Sequence, residues 1–270
     1  MAPAELLGLA QNFRNEVRAL DVEYRSPRVL VSDLFLKSNA TILKPYTQLQ
    51  HLQSTMGLKF YFVPFSTAGV TIAVLAELEH GLKEPLAERI ELSFKNGDTH
   101  TPEYLSKVNP NGVVPAIVHD GVPIWESGAI TMYLGETFGV DRSLYPAAGV
   151  QRGEAMKWIV WSAVNLASHG RNLGAFLRAE KSDGETEAQT EAKKINGEAA
   201  KKGIDDGLAI LDGALQGKDY LLGDIYSLAD THIWSFMAWL TMMKVDVDKF
   251  PNVKAWSERV GSRPALKNAF

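Results

Sequence analysis

Residues 109–127 read NPNGVVPAIVHDGVPIWES, and the reading of the whole chain grows from this stretch. Asp120-Gly121 stands between two short apolar runs, which predicts a hairpin closed by a two-residue turn. Pro115 opens the first strand, an awkward place for a residue that brings no ladder N–H. A cis Val114–Pro115 bond fits there: it costs little before proline and turns the Val114 backbone outward. An extended ligand can then pair with Val114 as an added strand. Directly after the hairpin, Glu126-Ser127 opens a helix over ESGAITMYLGETFG that ends at Gly139. A helix N-terminus attracts carboxylates through its free N–H groups and dipole. Ser127 would hold such a carboxylate, and Glu126 would meet a nearby amine. A pairing edge beside an α-amino-acid clamp describes a receptor for a short peptide with a free α-amino-acid end.

Upstream, LKFYFVPF from Leu58 is a strand signal. STAGVTIAVLAELEHG then takes helical spacing and closes on Gly81 as a C-cap. PLAERIELSF reads as a second strand, and TPEYLSKV as a short helix started by Thr101-Pro102. Downstream of a Pro/Gly linker, RSLYPAAG, the chain reads as helix throughout. EAMKWIVWSAVNLASHGRNLGAFLRA is expected to be one long helix loosened at Gly170. After a polar KSDGETEAQ loop comes a second, AKKINGEAAKKGIDDGLAILDGALQ. Ser227-Leu228-Ala229-Asp230 is a capping box with Asp in place of Glu, assigned to folding. The expected boundaries are an N-terminal extension at 1–57, an α/β domain at 58–140, a linker at 141–150 and a helical domain at 151–270. Within the extension, Leu6, Leu7, Phe13, Val17 and Leu20 predict an amphipathic helix.

Ser66-Thr67 falls at the junction of the first strand and helix. A hydroxyl there lies at a positive helix end, and donating its proton to a ligand's thiol sulfur favours the thiolate. Such activation suits a chain with no cysteine of its own.

Composition narrows the classes further. The 270 residues carry 28 basic and 32 acidic side chains, a formal charge of −4, and no cysteine. Disulfides, thiolate metal sites and a cysteine nucleophile are excluded together. Mild acidity argues against a nucleic-acid partner, and no apolar run reaches the roughly 18 residues of a membrane span. His51, His80, His100, His119, His169 and His232 show no metal-ligand spacing, so no metal is expected. The N-terminus lacks the basic start and continuous apolar run of a signal peptide, which predicts a cytoplasmic protein.

FYFVPFSTAGVTIAVLAEL, PEYLSKVNPNGVVPAIVHDG, PIWESGAITMYLGETFG, SLADTHIW and FPNVKAWSERVGSRPALK occur in this order. Over residues 58–270 the chain resembles a cytosolic glutathione transferase. The resemblance implies an α+β chain: a thioredoxin-like domain with a mixed four-stranded sheet, followed by an all-α helical-bundle domain. It implies glutathione as co-substrate, with Val114 and cis-Pro115 holding the cysteinyl backbone and Glu126 and Ser127 the γ-glutamyl end. Ser66 would be the thiol-activating hydroxyl of a serine-type enzyme, with Thr67 as the alternative. It also implies a homodimer and attack of the thiolate on a hydrophobic electrophile, in conjugation, ether cleavage or dehalogenation. Relatives often carry a Lys or His just before the cis-proline, where this chain has Gly112 and Val113. Lys107, His100 and Lys95 are the candidates to replace it at the glycyl carboxylate.

The second-substrate pocket is expected between the domains, with Phe65, Trp158, Trp161, Asn165 and His169 as its wall and Trp234 and Met237 as further candidates. Each functional reading has a structural counterpart. Ser66 and Ser127 are ordinary helix caps in the one, Pro115 a turn proline, and the Trp158-to-His169 stripe helix packing. A non-catalytic ligand carrier or scaffold on the same fold stands as the alternative function.

Overall fold

A computed structural model describes residues 57–178, 186–267 and 269. The expected N-terminal amphipathic helix lies outside the described residues. A four-stranded sheet in the order β2-β1-β3-β4 is formed by β1 (Leu58–Phe62), β2 (Glu88–Glu91), β3 (Ala116–His119) and β4 (Val122–Trp125). β1 runs parallel to β2 and antiparallel to β3, and β3 and β4 form the hairpin, with Ala116 opposite Trp125. The turn is at Asp120 and Gly121, both with positive φ, which is the twist a two-residue hairpin loop needs.

Alternation along β1 sets the layers. Leu58 and Phe60 are buried, while Lys59 and Tyr61 line a groove of about 880 Å3 on the other face. The first pair joins the core with α1 (Gly69–Glu79) and α3 (Ser127–Leu134); the second meets α2 (Pro102–Lys107), capped by the Thr101 hydroxyl. α1 is apolar nearly all round, because the sheet layer takes one side and the helical domain the other. A π turn over Gly135–Gly139 ends α3, and the buried Tyr145 ring fills the space that Gly135 leaves.

The helical part begins with α4 (Val150–Ser162), which passes through a π turn at Ala163–Ala167 into α5 (Ser168–Arg178). The expected loosening at Gly170 is corrected: it falls at the π turn instead. Gly170 is helical and lacks a side chain for another reason, since a Cβ would stand 2.6 Å from the Trp239 ring. α6 (Glu187–Leu215) starts inside the expected polar loop, because Thr186 and Gln189 form a capping box that makes Glu187 the first helical residue. α7 (Leu228–Met242) and α8 (Pro251–Gly261) complete the bundle.

Side chains distant in sequence fix the helix ends. Asp212 on α6 accepts from the Asn252 and Val253 amides at 2.8 and 3.0 Å and so caps α8. The Ser227–Asp230 box caps α7, and the buried Asp230 carboxylate also accepts from Leu221 N and Trp256 Nε1, both at 2.9 Å. Burial pushes the Asp230 pKa upward, against the pull of these hydrogen bonds. Past α8, Arg263 grips Glu77 of α1 with two hydrogen bonds of 2.6 and 2.8 Å and lies over the Tyr226 ring. That pair ties the C-terminal segment to the thioredoxin-like layer.

Candidate functional site

The Val114–Pro115 bond is cis. Its loop is held from three directions. The Val113 carbonyl accepts from the Tyr104 hydroxyl at 2.7 Å and from Asn109 Nδ2 at 2.8 Å, and the Val114 carbonyl accepts from Thr67 Oγ1 at 3.0 Å. Burial, with Tyr61 nearby, pushes the Tyr104 phenol up to about 12, so it stays a donor at neutral pH. Among the described residues the Val114 N–H has no hydrogen-bond partner. A fixed strand-like segment thus carries one backbone donor ready for a ligand.

The junction of β1 and α1 stands against this loop. Ser66 Oγ donates to the Val63 carbonyl at 2.6 Å and accepts from the Ala68 amide at 3.2 Å. Both sequence candidates for thiol activation therefore give their protons to backbone carbonyls here, Ser66 within its own turn and Thr67 across to Val114. They differ in what a rotation costs. Turning Ser66 releases only bonds within its own turn, whereas turning Thr67 removes one of the ties that hold the cis-proline loop. Phe65 is fully exposed with φ 56, a left-handed conformation rare for a bulky residue.

At the third corner, Glu126 precedes α3 with φ 71 and makes no side-chain cap. Its side chain is exposed and that of Ser127 half-buried. No side chain caps the first-turn amides of α3. Of the candidates for the glycyl carboxylate, His100 lies nearest the loop: a Cβ on Gly112, at φ 67, would come 2.9 Å from His100 Nε2. Lys107 instead pairs with Glu103 at 3.1 Å and borders the groove beneath the sheet, and Lys95 is exposed.

The structure divides the expected pocket residues. Trp158 is 8% exposed, belongs to the main core and meets Trp161 edge to face at 5.2 Å. Asn165 Nδ2 donates to the Trp161 carbonyl at 3.0 Å. His169 turns toward α6, where a Cβ on Gly203 would come within 2.5 Å of its ring, and lines an α5/α6 groove of about 630 Å3 with Phe176 and Asn196. Met237 is buried, and Trp234 packs against Gly261.

A different cluster adjoins the Ser66-Thr67 turn. Val70 in the first turn of α1 packs with Ala167 of the π turn and with Phe236, and Trp239 lies against them. Sequence reading missed Phe236 and Trp239. Their i, i+3 spacing on the helix after the capping box was the available signal. The extra residue of the π turn brings Ala167 to this cluster, in keeping with the frequent use of such turns near functional sites. Among the described residues no group of His, Asp and Glu is arranged to hold a metal ion, and no helix is long and apolar enough to cross a membrane.

Comparison with known proteins agrees with this fold. Residues 56–136 match the family model for the glutathione S-transferase N-terminal domain, and residues 166–264 match that for its C-terminal domain. The disulfide-bond oxidoreductase YfcG of Escherichia coli is 28% identical over 227 residues, covering 78% of this chain and 94% of its own. A GST-like protein of Streptococcus mutans is 26% identical over 215 residues, covering 74% and 77%. Among solved structures, a transferase of Burkholderia graminis with two glutathione molecules per subunit superposes with a TM-score of 0.66. It is 28% identical and the match covers 79% of this chain and 87% of that one.

Proposed function

The chain belongs to the glutathione S-transferase family, and from that premise we propose that it binds glutathione and activates its thiol for attack on an apolar electrophile. The observation that carries the reading is the unpartnered Val114 amide on a cis-proline loop pinned by Thr67, Tyr104 and Asn109. The cysteinyl backbone of glutathione pairs with Val114, its γ-glutamyl carboxylate takes the free amides and hydroxyl at Ser127, and its amine meets Glu126. His100, beside Gly112, serves the glycyl end.

Ser66 is the proposed catalytic residue. On binding, its hydroxyl turns from the Val63 carbonyl and donates to the cysteinyl sulfur, which lowers the thiol pKa and leaves a thiolate at neutral pH. Thr67, the alternative, is better occupied in fixing Val114. The thiolate then forms a bond to an electrophilic carbon as the leaving group departs with its electron pair. Holding both reactants together supplies much of the rate. The exposed Phe65 and the half-buried Trp239, which lies against the buried Val70–Phe236 cluster, offer the electrophile aromatic surface. The exposed apolar row of Met156 and Val160 on α4 and Val164 on the π turn that follows supports pairing of two copies, and we place the protein in the cytoplasm.

A second reading keeps the thiolate and changes its target. The likeness to a disulfide-bond oxidoreductase, in a chain without cysteine, favours glutathione itself as the only thiol in a disulfide exchange. The thiolate would attack a disulfide, release one thiolate and form a mixed disulfide, which a second glutathione would resolve to oxidised glutathione.

The test is retention on immobilised glutathione followed by turnover with an aryl halide and with a small disulfide. Retention with an aryl thioether product supports conjugation, and retention with only oxidised glutathione supports exchange. Retention without either product supports a ligand carrier. Flow-through refutes the glutathione site.

A further inference from the structure

Thr131 lies one turn after Ser127 on the same helix, and its side chain is fully buried. Its hydroxyl meets His232 Nδ1 of α7 at 2.8 Å, across 101 positions of sequence and from one domain to the other. Only two side-chain hydrogen bonds tie α3 to other elements among the described residues. Tyr133 meets His119 of β3 at 2.5 Å, and Thr131 meets His232.

His232 is completely buried, and desolvation holds its pKa down at about 3, so the ring is neutral at ordinary pH. A neutral imidazole has one N–H and one bare nitrogen. The Thr131 hydroxyl has no other partner, and His232 Nε2 has none at all. If Nδ1 carried the hydrogen, both the threonine proton and the Nε2 lone pair would be stranded. If Nδ1 is bare, the threonine donates to it and only the Nε2 hydrogen is stranded. The second arrangement leaves fewer orphaned groups and is the one assigned.

We propose that His232 is a positioning residue for glutathione: through Thr131 it fixes the helix whose first turn holds the γ-glutamyl carboxylate. An α-helix is stiff over one turn, about 5.4 Å. A lateral shift at Thr131 therefore reaches the Ser127 amides, whose hydrogen bonds weaken steeply with misplacement. His232 touches neither glutathione nor electrophile. This inference rests on the reading of Ser127 given above.

The experiment is calorimetric titration of the full chain with glutathione, comparing wild type with Thr131→Val, Thr131→Ser, His232→Leu and His232→Asn. Melting is recorded alongside. Thr131→Val and His232→Leu should each weaken binding about five-fold, the scale of one ordinary hydrogen bond, and the double variant should be no weaker than either alone. Thr131→Ser and His232→Asn should stay near wild type, because serine keeps the donor and asparagine Oδ1 stands where Nδ1 does. In turnover, Thr131→Val should raise KM for glutathione and leave KM for the electrophile unchanged. A purely structural tie would lower the melting temperature without moving the glutathione affinity, and that result overturns the proposal. So would losses that simply add in the double variant. Should His232→Leu fail to fold, the near-isosteric Thr131→Val decides the matter. Wild type that does not bind glutathione brings down the site and this inference together, whereas binding that Thr131→Val leaves intact brings down only the inference.

Discussion

Cutting the Glu77–Arg263 pair separates what a buried ion pair contributes from what its loss costs. Glu77 is 3% exposed and the Arg263 side chain 28% exposed, and their two hydrogen bonds are 2.6 and 2.8 Å long. Removing one member of a buried pair leaves the other charge uncompensated, at about 3–5 kcal/mol. The two single variants should not be equal. Glu77→Ala leaves an arginine that water already reaches, which puts it at about 3 kcal/mol or below. Arg263→Ala strands a carboxylate that water does not reach, near the upper end of about 5 kcal/mol at pH 7. Replacing both by apolar residues of similar size, Glu77→Leu with Arg263→Met, removes both charges and should come back to within about 1–2 kcal/mol of wild type. Urea unfolding followed by circular dichroism at fixed protein concentration reads these differences. With a slope of about 2 kcal/mol per molar, Arg263→Ala should move the midpoint down by about 2.5 M and Glu77→Ala by about 1.5 M. Midpoints within about 0.3 M of wild type for both singles would refute the reasoning, as would a double variant as weak as the sum of the two.

Stability should fall on mild acidification because of His232, whose folded pKa of about 3 lies below its ordinary 6.5. The unfolded chain binds the extra proton first, so this contribution is complete above pH 6.5. One unit lower, about 1.4 kcal/mol is lost. His232→Asn should flatten that part of a urea-midpoint profile, and an unchanged slope would count against a neutral buried ring. Gly170→Ala should destabilise by about 1–3 kcal/mol despite alanine's better helix propensity, because the new Cβ meets the Trp239 ring. A thermal melt reads this as roughly 2–4 °C per kcal/mol, and a raised melting temperature would show that the indole gives way. Trp239→Ala should raise KM for an aromatic electrophile several-fold and leave KM for glutathione near wild type, as the indole lies in the Val70–Phe236 cluster. Equal effects on both substrates would assign Trp239 to folding alone.

The parts of this fold that local chemistry dictates were readable from the chain. Asp120-Gly121 can close a hairpin with two positive φ values, Thr101-Pro102 can start a helix, and Ser227 to Asp230 forms a box from adjacent residues. Pro115 at the start of the hairpin made a cis bond fitting there, and the family resemblance implied it. What escaped depends on partners far away. Asp212 caps a helix 40 positions on, and Arg263 meets Glu77 across 186. The π turn at Ala163–Ala167 has an ordinary helical sequence, and its side chains meet partners far along the chain, Leu166 against Gly207 of α6 and Ala167 with Val70 and Phe236. For that reason the Trp158-to-His169 stripe, regular on an ideal helix, divides between the core and the α5/α6 groove, while Phe236 and Trp239 take the side facing Val70. The Ser66-Thr67 pair was found from its position, yet their different tasks appear only when the Val114 carbonyl is seen to be Thr67's acceptor.

The central claim is that this cysteine-free chain makes a glutathione thiolate with Ser66 while Thr67 holds the loop. The direct measurement is the ultraviolet thiolate absorbance of glutathione bound to wild type, Ser66→Ala and Thr67→Val at neutral pH, where an ordinary thiol of pKa about 8.5 is mostly protonated. A thiolate signal in wild type, lost in Ser66→Ala while binding persists, is the predicted result, with Thr67→Val binding more weakly but still ionising what it binds. A thiolate signal that survives Ser66→Ala, or glutathione bound as the thiol in wild type, would contradict it.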